Sequence, residues 1–281
     1  MKNLACVSAL ALACAAGCAG RTSAATQPSP AAFDAKASDP AAVKIVDQMV
    51  AALGGAKAWD GVKQIQWTQK VFHGDKLQSW VTHSWDRWNG RHRAELTVVA
   101  SYEKAMAEGK PELIQRGVAM YDLFDHGHGT VLYRGQQVSS ADEAKWIERA
   151  YKAWKDDSYR LAAYYKMENP GVILKSSGQA DPVEGHCEPK CDVIKVTFAP
   201  EVGTDIYYLN INTQTHMPEI IAKQMGTGSG RLAYGMSGWV TVSGLKFATE
   251  FQNLGLKTEI IRLSDLRIGE PDDTLYIPQV Q

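Results

Sequence analysis

The spacing of apolar residues changes period along this chain from helical to alternating, returns to helical once in the middle, and then alternates to the end. Val43, Val46, Val50 and Leu53 recur at helical spacing. Asp39 offers a capping side chain before them, Pro40 suits the first helical position, and Gly54-Gly55 closes the segment. From Val62 to Arg134 the period is two. Ile65, Trp67 and Val71 share one face of a strand, His73-Gly74-Asp75 supplies a turn, and a second strand over 77–88 returns at Asn89-Gly90. Leu96, Val98 and Ala100 alternate in a third strand, with further strands over 118–124 and 130–134. Connections this short predict an antiparallel meander.

Helical spacing returns after Ser140-Ala-Asp-Glu143, which reads as a capping box: Glu143, Ile147, Tyr151 and Trp154 share a face with Trp146 and Ala150. A second helical piece is expected over 158–166. Glu168-Asn169-Pro170-Gly171 must end it, because the residue before proline leaves the helical region and proline brings no donor. Strand patterning then fills 172–175, 193–198, 205–211, 218–225, 231–242, 245–253 and 257–268. Two runs of strands around one helical insert predict an α+β protein built on a large curved antiparallel sheet.

Composition adds compartment rather than chemistry. The 281 residues are 45% apolar, enough for a core, and no internal linker divides 40–281 into two domains. Thirty basic side chains face 31 acidic ones, a balance that argues against a nucleic-acid partner. Residues 1–17 have a basic start at Lys2, an apolar run over 4–16 that is too short to span a bilayer, and small residues at the end, which reads as an export signal. Ala15-Ala16-Gly17-Cys18 resembles the bacterial lipobox, with Ala15 where Leu is preferred. The resemblance implies cleavage before Cys18 and acyl chains such as palmitate on it; the alternative is an ordinary signal with an incidental cysteine. Residues 18–39, rich in Ala, Ser, Thr and Pro, then form a disordered tether. Ala19, rather than Asp, after the cysteine implies the outer membrane, facing the periplasm.

Three further stretches are similar to a known superfamily. Leu53-Gly54-Gly55 followed by Trp59 and Val62, the central DDSYRLAAYYKMENPGV, and Tyr208-Leu209-Asn210-Ile211-Asn212 with His216-Met217-Pro218 and Leu275-Tyr276-Ile277-Pro278 resemble exported proteins of the LolA/LolB-like lipoprotein-carrier type. In the central stretch Arg160 and Tyr164-Tyr165-Lys166 replace the usual Trp and Pro-Phe-Lys. The resemblance covers roughly 40–278 and its motifs are structural. It implies a strongly curved antiparallel half-barrel with helices covering the concave face, enclosing an apolar cavity that in the carriers receives acyl chains.

Candidate chemistry is sparse. Trp80, Trp85 and Trp88 crowd one strand, with 85 on the opposite parity to 80 and 88, so both faces must be covered, one of them by helices or by a ligand. His126-Gly127-His128 beside Asp125 has workable metal geometry, but no HExxH or cysteine-rich partner completes a site, and no metal or other cofactor is expected. Cys187 and Cys191 flank a turn and are expected to form a disulfide worth about 2 kcal/mol; His186 beside them offers a metal-binding alternative. The glycines of 225–238 lack a phosphate-loop pattern, and there is no GxSxG, no SxxK and no assignable carboxylate pair, so no catalytic residue is expected. The sequence therefore reads as a non-enzymatic cell-envelope lipoprotein, held to the membrane by Cys18. Its expected ligand is an acyl chain, lipid or lipoprotein, in transport or sorting, and the cavity candidates are Ile65, Trp67, Val71, Trp85, Val118, Met120, Phe124, Tyr207, Leu209 and Ile211. The alternatives are a non-carrier module of an envelope complex and a metal-dependent enzyme resting on His126 and His128.

Overall fold

Asp39 caps α1 (Pro40–Ala52): its carboxylate accepts from the Ala41 amide at 3.0 Å, and Pro40 sits in the first turn, where no donor is needed. In the computed structural model, which describes residues 33–125, 129–200, 202–226, 228 and 230–278, the helix buries Ala42, Val46, Met49 and Val50 along one stripe. Gly54, just beyond its end, has φ +119° and passes so near Gly244 that a Cβ would collide with the Gly244 carbonyl oxygen. That approach lets the Lys246 amide donate to Leu53 O at 2.9 Å. The Tyr165 hydroxyl, 2.8 Å from both Leu53 O and Lys246 O, shares its proton between them.

The short helix α2 (Ala56–Asp60) leads into a run of strands: β1 (Gln64–His73), β2 (Lys76–Asp86) and β3 (Arg91–Thr97), then, after helix α3 (Val99–Glu108), β4 (Arg116–Asp122), β5 (Gly129–Tyr133) and β6 (Gln136–Gln137). Helix α4 (Ser140–Ala162) and a 3-10 turn at Ala163–Tyr165 precede the second run. This comprises β7 (Val172–Ala180), β8 (Cys191–Phe198), β9 (Tyr207–Asn212), β10 (Pro218–Gln224), β11 (Arg231–Ser237), β12 (Val240–Val242), β13 (Leu245–Phe247), β14 (Glu250–Asn253) and β15 (Glu259–Gly269). Thirteen strands form one antiparallel sheet in the order β6-β5-β4-β3-β2-β1-β15-β14-β11-β10-β9-β8-β7, with β12 and β13 as a separate hairpin. The two runs meet where β1 pairs with β15. The sheet is not closed, since β6 and β7 are its two edges. The chain passes from one edge to the other through α4.

Strand register sorts the side chains. Ile65 pairs with Trp85, Trp85 with His92 and His92 with Tyr121, while Trp67 pairs with His83, His83 with Ala94 and Ala94 with Ala119. All of these lie on one face of the sheet. The main core joins that face to Leu161–Tyr165 and the buried stripe of α1, and a second cluster joins Val81, Ala94, Leu96, Ala119, Tyr121 and Val131 to Ile147 and Ala150 of α4. Trp80 lies on the other face, edge-on to Tyr102 of α3 at 5.5 Å. No helix among the described residues is long and apolar enough to cross a membrane.

Three local expectations change. Residues 99–108 are helical rather than a continuation of β3, because Ser101 and Ala105 bury at helical spacing within a run of good helix formers that Gly109 ends at φ +63°. The N-cap of α4 is Ser139, whose carbonyl accepts from the Asp142 and Glu143 amides and whose hydroxyl donates to Asp142 at 2.8 Å. The two expected helical pieces are one helix of 23 residues, since Asp157, just before the second, turns inward to partners on the sheet. Gly74 and Gly90 occupy the expected turns with positive φ.

Gly54→Ala should cost about 2 kcal/mol or more, combining an unfavourable φ with displaced backbone. Urea unfolding measures this; a change within about 0.5 kcal/mol would contradict the close approach.

Candidate functional site

The second half of α4 forms one wall of a cleft of about 820 Å³. Lys152, Trp154, Lys155, Asp156, Ser158 and Tyr159 line it from the helix; Phe198 lines it from the end of β8, and Val202, Gly203, Thr204 and Asp205 from the β8–β9 connection; Tyr207, Lys223 and Lys166 complete it. A side pocket of about 50 Å³ shares Tyr159, Tyr207 and Lys223 and extends to Leu232 and Tyr234. The Tyr159 and Tyr207 rings stack with centroids 3.9 Å apart, and Phe198 meets Tyr207 edge-on at 6.1 Å. Lys223 pairs with Asp205 at 2.8 Å, and the Tyr207 hydroxyl donates to the same carboxylate oxygen at 3.2 Å. Burial alone would raise the Asp205 carboxyl, but Lys223 and Tyr207 outweigh it and hold it below its ordinary value.

Lys166 has a different setting. Its Nζ lies 4.8 Å from the Trp85 ring centroid, 6.0 Å from that of Trp154 and 3.4 Å from Ser158 Oγ. Burial, with a smaller contribution from the Arg87 guanidinium, lowers this amine to about 7. The cleft thus combines a broad aromatic wall with four lysines against two aspartates, which suits a ligand with an apolar body and an anionic end.

Beneath α4 runs a buried polar chain. The Tyr121 hydroxyl lies 2.9 Å from His92 Nδ1, His92 Nε2 lies 3.2 Å from His83 Nδ1, and His83 Nε2 lies 3.0 Å from Asp157 Oδ2. The arrangement that satisfies both nitrogens of each ring has Tyr121 donating to His92, His92 to His83, and His83 to the carboxylate. Asp157 also accepts from Arg160 at 3.1 Å and from the Gln69 amide nitrogen. Trp67 stacks on His83 at 4.3 Å, and His92 lies 6.2 Å from Trp154 of the cleft wall. Burial, and the neighbouring His83, push His92 well below its ordinary value. A buried network satisfied in this way fixes position as well as contributing stability.

No family model and no curated protein matches the sequence. Among solved structures the chain is similar to a DUF1329 family protein from Desulfovibrio piger (TM-score 0.46, 10% identity, covering 87% of this chain and 100% of that one). It is also similar to a LolA superfamily protein from Nitrosomonas europaea (0.44, 11%, 84% and 97%) and to a putative outer membrane lipoprotein-sorting protein domain from Vibrio parahaemolyticus (0.43, 9%, 84% and 96%). One of these is named for the superfamily that the sequence resembles. At this level of similarity, function has to be read from this chain's own residues.

The expected cavity residues separate into three groups. Ile65, Trp67, Trp85, Tyr207, Leu209 and Ile211 belong to the main core, with Val71 packed at its margin. Val118 and Met120 lie on the opposite face of β4 from Ala119 and Tyr121 and do not join them, because strand parity separates the two sets. Phe124 lies beyond β4 and is 75% exposed. Of the ten, Tyr207 lines the large cleft. Cys187 and Cys191 form the expected disulfide, and the nearby Glu219 carboxylate accepts from the Cys187 amide and from the Asn212 side-chain amide. Cys18, His126 and His128 lie outside the described residues. Lys166, Tyr159 and Asp157, which lie in the central resemblance stretch, and His83 and His92 were not read as site residues from the sequence. The available signal was parity, since His83 and His92 occupy the same strand face as Val81, Trp85, Ala94 and Leu96.

The unfolded chain takes up a proton on His92 near its ordinary value, whereas the folded chain does so only at much lower pH. The stability this contributes is complete above pH ~6.5 and declines as pH falls, by up to about 1.4 kcal/mol per pH unit. Chemical denaturation between pH 7.5 and 5 should therefore show a slope for wild type that His92→Gln reduces by about one proton. Equal slopes would contradict a buried neutral imidazole.

Proposed function

We propose that this protein is a cell-envelope binder of anionic amphiphiles, holding an acyl or lipid chain in the α4 cleft, in the service of lipid or lipoprotein transport or sorting. The observation that carries this is the cleft's composition: an aromatic wall of Trp154, Tyr159, Phe198 and Tyr207 with Lys152, Lys155, Lys166 and Lys223 around it. Its volume falls within the roughly 300–1,000 Å³ of small-molecule sites.

The same proposal includes a half-barrel sheet with α4 on its concave side. Asp157 bonds His83 on β2, while Tyr159, two residues later, stacks on Tyr207 of β9 and Arg160 lies over Tyr234 of β11 at 5.6 Å. β2 and β9 stand six places apart in the strand order, about 29 Å in a flat sheet. A sheet bent around the helix accounts for both contacts.

Magnitudes favour a ligand with a charged head. Six buried methylenes offer about 5 kcal/mol gross at about 0.8 kcal/mol each, close to the 4 kcal/mol or more that association costs. A chain half-buried in an open cleft would thus bind weakly without its lysine contacts. In titrations with an environment-sensitive fatty-acid probe, dodecanoate should displace the probe at lower concentration than dodecanol, and salt should narrow the difference. Trp154→Ala and Tyr207→Ala should each weaken binding by about tenfold, near 1.4 kcal/mol. Trp67→Ala should instead cost about 3–5 kcal/mol of stability and leave the affinity of the folded fraction unchanged. Absence of saturable, displaceable uptake by the folded protein would overturn the proposal and favour a surface-interaction module.

Anchoring through Cys18, with 1–17 removed, 18–39 as tether and 40–281 as one domain, belongs to the same reading, as does an outer-membrane position facing the periplasm. The expected disorder of the tether does not extend to its end, where Ala35–Ala37 form a 3-10 turn, Ser38 Oγ accepts from the Leu174 amide at 3.0 Å and the Asp39 amide donates to the Leu174 carbonyl at 2.8 Å. Cys18→Ser should move the protein from the membrane to the soluble fraction and abolish incorporation of labelled palmitate. Wild-type protein already soluble would count against the anchor.

A further inference from the structure

The geometry points to Lys166 as a covalent site of the cleft, where its amine forms an imine with an aldehyde-bearing ligand. Three observations place the nucleophile. Its Nζ is held between the faces of Trp85 and Trp154 at 4.8 and 6.0 Å, in a cleft large enough to admit a reactant. Among the described residues no carboxylate pairs with it; its polar contact is Ser158 Oγ at 3.4 Å. The charge that acts on it is the Arg87 guanidinium, itself held by the Trp59 and Val62 carbonyls at 2.6 and 2.8 Å. The other charged groups of the cleft are Lys152, Lys155, Asp156, Lys223 and Asp205, the last two paired with each other.

These contacts act on the amine in opposite directions. The indole faces favour the ammonium form by about 0.5–2 kcal/mol, whereas lost hydration and the Arg87 charge disfavour it. The balance lies at about 7, so a large fraction of the amine is free base at neutral pH. A desolvated lysine beside another cation is the usual way to make this side chain nucleophilic.

The step balances without any oxidant or reductant. The Nζ lone pair adds to the carbonyl carbon and the C=O π pair moves to oxygen. Proton transfer from nitrogen to oxygen gives a carbinolamine. Loss of the hydroxyl with the remaining amine proton as one water leaves the C=N bond, and hydrolysis reverses it. Tyr159, Tyr207 and Phe198 provide apolar surface for the aldehyde's chain. The imine site does not require the amphiphile reading, which bears only on the chain length preferred.

Purified protein would be treated with butanal or dodecanal and limiting cyanoborohydride at pH 7.5, and the reductively alkylated lysines ranked by peptide mass spectrometry. At that pH the free-base fraction of a lysine near 7 exceeds that of an ordinary one, near 10.4, by a few hundredfold, and lower intrinsic basicity removes part of the advantage. Lys166 should therefore be labelled at least about tenfold faster than the exposed Lys104 and Lys145. Its rate should level off just above pH 7, and Lys166→Arg should remove this label alone. Labelling no faster than at Lys104 and Lys145, or a rate at Lys166 still climbing toward pH 10, would overturn the proposal. The ranking within wild type decides even if the variant fails to fold. Fast labelling by butanal with no preference for dodecanal would sustain the imine site while counting against chain binding.

Discussion

The contact between α4 and the sheet is the constraint on which the rest depends. The chain leaves the sheet at edge strand β6 and re-enters at the opposite edge, β7, with α4 as the connection. Such a helix must lie against the sheet and bury what it presents to it. Its first half does so with Ile147 and Ala150 against Val81, Ala94, Leu96 and Val131. Its second half adds a carboxylate to the buried Leu161 and Ala162: Asp157, facing a sheet position occupied by His83. A buried carboxylate is costly unless each oxygen is satisfied, and here His83, Gln69 and Arg160 all donate to it. The two histidines and Tyr121 continue the hydrogen bonding across three strands.

That polar contact also shapes the cleft. It fixes the rotation of α4 about its axis, so that Trp154, Ser158 and Tyr159 face the β8–β9 connection and the ends of β9 and β10. The main core beside it is occupied: Trp67, Ile65 and Leu209 are at most 1% exposed and pack with α1 and the turn after α4. Room for a ligand lies where α4 meets the second run of strands, rather than within the apolar face. The aromatic side chains of α4 and the Lys166 amine border one cleft for that reason.

Much of the architecture was legible in local signals. Asp39-Pro40, His73-Gly74, Asn89-Gly90 and Asn169-Pro170-Gly171 each act within a few residues, and each falls where the backbone turns or a helix begins or ends. Elements whose pattern fits two periods were not legible: Leu96, Val98 and Ala100 alternate like a strand, although Val99–Glu108 is helical. The continuity of α4 was hidden because the partner that makes Asp157 a core residue lies 74 positions away, at His83. The same reason hides the site. Lys166 is an ordinary lysine in sequence, and its character comes from Trp85, Trp154 and Arg87, none of them its neighbours along the chain.

The central claim is that the ligand occupies the α4 cleft and not the interior of the sheet. Aromatic NMR resonances followed during a dodecanoate titration test it most directly. The account predicts saturable shifts at Tyr159, Tyr207, Phe198 and Trp154, with Trp67 and Phe251 essentially unmoved. Shifts centred on Trp67 and Phe251, or none at all, would contradict it.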